Sequence, residues 1–282
     1  MPYRDILLAA LTYPDVTPDR ALRSGVALAK RLGGGLTLLT VRVDIPAMTN
    51  VLANTLVQMD EVAVQAEARS ARAALLEAAC VRIAAEDADE AIRTDSVLAR
   101  LFEESDAICQ AARTRDITLL PIGPAVPASR GLAEATLFGS GRPILVYPED
   151  REVGAAEDFD HVAVAWDGSA RASRAVADAL PLLRRATTVR IFTALGDKPQ
   201  AVKSVAEDLV RHLATHGVAA ILDHCEAQGQ SIGHRLERYV ATTRPDLLVM
   251  GGFGHSRIRE FVLGGATQAV LEAPPCPVLM SH

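Results

Sequence analysis

Two stretches in the first half of the chain recur, in order, in the second half, and this duplication constrains the fold more than any other feature. Arg115-Asp116-Ile117-Thr118-Leu119-Leu120-Pro121 matches Arg244-Pro245-Asp246-Leu247-Leu248-Val249-Met250-Gly251. Further on, Arg142-Pro143-Ile144-Leu145-Val146-Tyr147-Pro148 matches Cys276-Pro277-Val278-Leu279-Met280-Ser281-His282. Each stretch holds a short, continuous apolar run, the pattern of a strand buried on both faces of a parallel sheet. A single recurrence is a tandem duplication rather than a repeat array. The length of 282 residues suits two domains, and 49% hydrophobic residues is ample for their cores.

Along the first half, Ile6 to Leu11 reads as a buried strand. Thr17 and Pro18 then supply an N-cap and a first-turn proline for a helix carrying Leu22, Val26 and Ala29 inward. Gly33-Gly34-Gly35 ends that helix and Leu36 to Val41 forms the next strand, a β-α-β unit whose crossover is expected to be right-handed. An Ala-rich helical region runs from Pro46 to about Glu86, with Val51, Leu52, Leu56 and Met59, then Leu75, Leu76 and Ala79, at helical spacing. A short strand over Ala91 to Thr94, a helix over Val97 to Ala112, the strand Ile117 to Leu120, a loop from Pro121 through Pro127 and the strand Ile144 to Val146 complete the half.

Pro148 to Asp158 is acidic and poor in apolar residues, and reads as a linker. The pattern then restarts: Val162 to Ala165 mirrors Leu7 to Ala10, and Trp166-Asp167-Gly168-Ser169 turns into a helix that Pro181 should kink. Val189 to Thr193 and Ala219 to Leu222 are strands, Val202 to Leu213 and Ile232 to Val240 are helical stripes, and Asp246 to Met250 and Pro277 to Met280 are the closing strands. The expected organisation is residues 1–148, a linker over 149–159, and residues 160–282. The fold class is α/β: two tandem open, mostly parallel five-stranded sheets with helices on both faces.

A net charge of -6 without a dense Lys/Arg cluster argues against nucleic acid or an anionic membrane as partner. No apolar run reaches the roughly 20 residues that span a bilayer, and the first residues lack a signal-peptide pattern, so a cytoplasmic address is expected. Cys80, Cys109, Cys225 and Cys276 are scattered and suit buried structural thiols. His212 and His216 stand four apart on a predicted helix with no third ligand evident, which fits a solvated helix face better than a metal clamp.

The chemistry is concentrated between Gly251 and Thr267. Gly251, Gly254 and Gly264 follow G-x2-G-x9-G spacing after a buried strand, and Gly265-Ala266-Thr267 opens a helix. Glycines let backbone N–H groups approach a phosphate, and a helix N-terminus adds a favourable dipole. The same glycines could equally serve only to shape two turns. The spacing is neither a Walker A loop nor a Rossmann fingerprint.

With its V-A-V-A-W-D-G-S start, its glycine spacing and its terminal C-P-V-L strand, the second half resembles the universal stress protein family, in a tandem two-domain form with an adenine nucleotide alpha hydrolase-like fold. The resemblance implies that ATP, accompanied by Mg²⁺, is held between the ends of the first and fourth strands. Asp167 would contact the adenosine part and Thr193 would lie beside the adenine. Gly251, Gly254, His255, Gly264, Gly265, Ala266 and Thr267 would surround the phosphates. One departure stands out: nucleotide-binding members usually carry Ser or Thr directly after the last motif glycine, and here Gly265 takes that place.

In the first half, Thr12 or Leu11 stands where the aspartate is expected, and Pro121, Gly123 and Pro124 replace the glycine pattern. No nucleotide is expected there. The half is expected to serve as an internal partner, a pseudo-dimer joined at the strand edges near Ile144 and Val278. A lipid-like ligand beneath its Ala-rich helices is a subsidiary expectation. The implied function is a non-catalytic stress-response sensor or scaffold, with at most slow ATP hydrolysis, because no Walker-type lysine or water-positioning base is evident. The alternatives are a nucleotide-free dimerisation or protein-interaction module and a slow nucleotide hydrolase.

Overall fold

The protein was analysed as a computed structural model, which describes residues 3–12, 15–44, 59–86, 92–100, 103–151, 158–194, 199–225, 231–252, 254–255, 262–263 and 265–282. The first half runs β1 (Asp5–Leu11), α1 (Asp19–Leu32), β2 (Gly35–Asp44), α2 (Met59–Glu86), β3 (Arg93–Arg100), α3 (Glu104–Ala112), β4 (Ile117–Ile122), α4 (Ser129–Gly139) and β5 (Ile144–Pro148). The second runs β6 (His161–Ala165), α5 (Ala170–Leu183), β7 (Thr188–Ala194), α6 (Pro199–Thr215), β8 (Ala220–Cys225), α7 (Ile232–Thr243) and β9 (Leu247–Gly251). A two-stranded ribbon of β10 (Gly254–His255) and β11 (Val262–Leu263) follows, then α8 (Gly265–Glu272) and β12 (Val278–Ser281). Val51, Leu52 and Leu56 of the expected helical region lie outside the described residues.

Local chemistry sets most boundaries. Gly33 ends α1 because it adopts φ 80, the left-handed cap that glycine takes without a Cβ penalty, and its N–H reaches Ala29 O. Thr17 does not cap α1: its Oγ1 accepts from the Leu11 amide at 2.9 Å and ties the loop to the end of β1. The segment from Val97 is strand rather than helix, since β3 pairs with β2 in register through Asp44 and Arg100. Ladder pairing there overrides the apparent helical spacing. Pro121 lies within β4, beyond the last residue paired with β1, Leu119, so its missing N–H costs no ladder bond. Pro181 falls in the last turn of α5, which continues past it to Leu183.

Ten strands form one sheet in the order β3-β2-β1-β4-β5-β12-β9-β6-β7-β8. Every neighbouring pair is parallel except β5 with β12, which run antiparallel with Val278 opposite Val146, Leu279 opposite Leu145 and Met280 opposite Ile144. Thr118 pairs with Ile144 as Leu248 pairs with Val278, so Leu145 and Leu279 are equivalent residues facing each other across a pseudo-twofold axis. The two five-stranded units thereby join at the edges expected from the sequence.

The strand starts carry a second mark of the duplication. Asp116 Oδ2 accepts from the Asp5 amide at 3.1 Å, and Asp246 Oδ2 accepts from the His161 amide at 2.8 Å. This pairing aligns Asp5 with His161 and Ile6 with Val162, one residue away from the match read from the apolar runs. Continued upward, it places Leu11 at the position of Asp167.

Two apolar layers cover the sheet, and each crosses both halves. One joins Leu22 and Val26 of α1, Leu76 and Ile83 of α2, Ala175 and Ala179 of α5 and Leu209 of α6 to Ile6, Val162 and Leu279. The other joins residues of α3, α4, α7 and α8 to Leu7, Ala163 and Met280. Phe159, at the end of the expected linker, is fully buried in the first layer, with the Arg31 guanidinium 5.6 Å from its ring centroid. Cys80, Cys109 and Cys276 are buried free thiols, and burial pushes the Cys276 thiol up to about 12.

Because Leu279 has no exposed surface at the junction, Leu279→Ala should lower unfolding stability by about 2–5 kcal/mol. Leu98→Ala, on the outer strand β3 with Leu98 60% exposed, should cost no more than about 0.5 kcal/mol. Urea unfolding followed by circular dichroism compares the two.

Candidate functional site

Parallel strands present their carboxyl ends on one side of a sheet, and in open α/β sheets ligands bind in the crevice there. In the second half Ala165 is in register with Phe192 of β7 and with Met250 of β9. The next residues, Trp166, Thr193 and Gly251, therefore stand at one level on three adjacent strands, and Asp167 leaves the sheet directly above. The Trp166 amide holds this level by donating to Phe192 O at 2.9 Å.

Asp167 is exposed, and its Oδ1 accepts from the Ser169 amide at 2.9 Å, an Asx turn that leaves Oδ2 outward. Gly168 takes φ 75 to make the turn, and Ser169 Oγ caps α5 by accepting from Ala172 N at 3.1 Å. The Trp166 indole donates to Val205 O at 3.3 Å, bringing α6 over the same loop. Thus the aspartate is both part of the helix entry and a carboxylate at the mouth of the crevice.

On the β9 side, a Cβ on Gly251 would stand 2.6 Å from Ala172 N and 2.7 Å from Arg171 C. Both are backbone atoms, so this position closes against the first turn of α5 and admits only glycine. Gly254 pairs with Leu263 and His255 with Val262, so the long connection between motif glycines folds back as the β10–β11 ribbon and returns the chain to the start of α8. Gly264 and the side chain of His255 lie outside the described residues. At α8, Gly265 is exposed and Ala266 half-buried, while Thr267 and, across the sheet, Thr193 are fully buried.

Gly233, in the first turn of α7, approaches Gly265 O so closely that a Cβ would lie 3.1 Å from it. The N-termini of α7 and α8 therefore meet, and that of α5 rests on Gly251. Partial positive charge from helix starts favours an anion in such a place. Among the described residues, no group of three or more His, Cys, Asp or Glu side chains is placed to hold a metal ion. His212 and His216 stack edge to face at 4.8 Å between ring centroids on α6.

Two further features escape a reading of motifs. The first is that the glycine turn rests on the other half of the molecule. A Cβ on buried Gly252 would lie 2.5 Å from Leu137 Cδ2 of α4, and Gly252 O lies 3.1 Å from His282 Nδ1, whose ring packs edge-on against Phe138 at 4.6 Å. The second is a network behind β7 and β8: Arg190 Nη1 contacts both Asp223 oxygens at 3.0 Å, and Tyr239 donates to Asp223 Oδ2 at 2.8 Å. Burial first, and then the Asp223 carboxylate, hold the Tyr239 phenol well above its ordinary pKa, so it remains a donor that fixes α7 to β8.

The corresponding end of the first-half sheet is filled by the chain itself. Leu11 takes the aspartate position and Pro121 that of Gly251. Glu149, 1% exposed, lies so close to Gly123 that a Cβ there would overlap its Cγ, and its Oε1 accepts from the Ala125 amide at 2.5 Å. A carboxylate from just after β5 thus occupies a backbone loop where the second half has its glycine turn. Only its folded position reveals it, since Glu149 belongs to an acidic stretch that reads as linker.

Glu149→Ala should remove the charged acceptor of the Ala125 amide and lower stability by about 1–3 kcal/mol, measured by chemical denaturation. Gly251→Ala should lower the melting temperature more than Gly265→Ala, because only the first drives a methyl group into backbone.

Similar molecules share this architecture. A universal stress protein from Archaeoglobus fulgidus DSM 4304 superposes with a TM-score of 0.64 at 15% identity, covering 98% of this chain and 97% of the other. A candidate universal stress protein from Pseudomonas aeruginosa UCBPP-PA14 gives a TM-score of 0.58 at 13% identity, covering 99% and 93%. At these identities the likeness shows the fold. No curated protein matches the chain at a significant level. The family model described as "Universal stress protein family" matches twice, over residues 2–140 and 158–282. With nearly the whole chain accounted for by two copies of that model, the protein belongs to the universal stress protein family as a tandem two-domain member.

Proposed function

We propose that the second half, from about residue 160, binds ATP or a related adenine nucleotide, and that the protein acts by binding, as a cytoplasmic stress-response sensor or scaffold, rather than by catalysis. The observation that carries this reading is the convergence of Asp167, the Thr193 level of β7, Gly251 and the starts of α5 and α8 at one end of the sheet. Asp167 Oδ2 offers an acceptor for ribose hydroxyls, and the glycine turn with the α8 N-terminus offers backbone donors to phosphates. Gly254, His255, Gly264, Ala266 and Thr267 complete the proposed surround. Mg²⁺ would accompany the phosphates as a counter-charge.

Glycine is needed at 251 by packing, since any side chain there meets the α5 backbone, and this close approach brings the α5 N-terminus to the strand end where the nucleotide is proposed to sit. Gly265 is different, since a Cβ there would make an ordinary contact, 3.5 Å from Ile232 Cγ2. A serine hydroxyl could therefore be added without strain. The full burial of Thr193 and Thr267 favours a second reading, in which the second half is a nucleotide-free interaction module.

Equilibrium binding of ATP separates the two readings. Wild type should bind, Asp167→Ala should bind about tenfold or more weakly through loss of a charged acceptor, and Gly265→Ser should bind more tightly. Equal affinity in wild type and Asp167→Ala removes the site assignment, and absence of binding in all three, Gly265→Ser included, supports the interaction module. Turnover of ATP with Mg²⁺ should stay near background; measurable turnover would favour a slow hydrolase.

A further inference from the structure

A cavity of about 280 Å³ opens between the two halves, far along the chain from the glycine turn, between the entry ends of β4 and β5 and the outer face of α5. Three guanidinium groups, Arg142, Arg174 and Arg184, and two carboxylates, Asp116 and Asp178, line it. The carboxylates are committed to the protein. Asp116 Oδ2 accepts from the amides of Arg4 and Asp5 at 2.7 and 3.1 Å, and Asp178 Oδ2 accepts from Arg174 Nε and Ser281 Oγ, each at 2.9 Å.

The cations are not committed to the same degree. Among the described residues, Arg142 spends only its Nε, on Arg113 O at 3.2 Å, and the Arg184 side chain has no hydrogen bond or ion pair. Pro143, Leu180 and Pro181 give the cavity an apolar wall. The pseudo-twofold axis supplies a control within the same molecule. Around Phe159, Asp246 and Pro277, which correspond to Tyr3, Asp116 and Pro143, arginine is used internally: Arg151 Nη1 donates to Pro275 O at 2.9 Å, and Arg31 lies over Phe159. On that side Arg151 and Arg31 are engaged by the protein, whereas the Arg142 terminal nitrogens and the Arg184 side chain have no partner among the described residues.

We infer that this groove between the halves is an anion site that takes a phosphate group, free or as a small monoester, with Arg142 and Arg184 as its principal donors. Guanidinium forks match phosphate oxygens in pairs, and the cavity falls just below the roughly 300–1,000 Å³ of drug-sized ligand pockets, which suits a small anion. The apolar wall suits the organic part of an ester. Neither Arg142 nor Arg184 belongs to the proposed nucleotide surround, so the inference does not depend on that reading.

Isothermal titration calorimetry of the full chain at low ionic strength, with inorganic phosphate and with phenyl phosphate as probes, tests the inference. Wild type should bind at least one probe. Arg142→Ala with Arg184→Ala should weaken binding by at least about tenfold, while Arg130→Ala, which removes an exposed arginine elsewhere, should leave it unchanged. Both groove arginines are exposed, so the double variant should keep the wild-type circular dichroism spectrum. Tighter binding of phenyl phosphate identifies an ester as the ligand, and equal binding identifies the phosphate group alone; both support the site. Failure of wild type to bind either probe, or equal binding by the double variant, overturns it.

Discussion

The antiparallel contact of β5 with β12 is the constraint from which the rest of the structure follows. A parallel five-stranded unit of this topology ends in an edge strand with unpaired backbone groups, and such edges invite uncontrolled pairing. Here each unit satisfies the other's edge, with equivalent residues Leu145 and Leu279 facing each other. The edge left exposed in one unit is closed by its own duplicate, and the apolar layers above and below then run uninterrupted across the join.

Once joined, the copies no longer have equal environments. On one side of the join Ser24 Oγ donates to Arg151 O at 3.1 Å and Tyr147 donates to Ala21 O at 2.8 Å. That side is closed by the chain's own groups, with Gly25 needed to let Tyr147 approach α1. On the opposite side the arginine-lined cavity remains. Two sides related by an approximate symmetry are thus packed differently, one closed by described side chains and one open as a groove.

Much of the fold was legible because its signals are local and strong. Continuous apolar runs gave the central strands, Gly33 gave the end of α1, and the recurrence of Arg-Pro/Cys-Pro strands placed the junction at Ile144 and Val278. What was not legible depended on contacts distant in the chain. Val97 to Arg100 carries helical spacing, but its partner strand β2 decides its conformation. Thr17 has the chemistry of an N-cap and instead satisfies Leu11. The one-residue error in matching the halves arose because apolar runs slide freely against each other. The carboxylates of Asp116 and Asp246, bonded to strand-start amides, do not. At the candidate site, the glycines could be picked out by spacing, and Asp167 by the family resemblance and its place after a central strand. Gly252, Glu149 and His282 could not, since each matters only through a neighbour far away in sequence.

These hidden residues change the meaning of the first half. If it were only a spent copy, its crevice could be loosely packed; instead Glu149 fills it and bonds the Ala125 amide as an anion would. Nor is it remote from the intact copy, because Leu137 and Phe138 of α4 press on the Gly252 turn and on His282 beside it. The turn that would receive phosphates is therefore backed by a helix from the other half, and any ligand that shifts it must also work against that contact. The buried Gly252 has Leu137 side-chain atoms where a Cβ would stand, so the turn and α4 are in close contact. In this arrangement the first half supplies the wall against which the glycine turn of the second half is held, a role that depends on packing and not on glycines of its own.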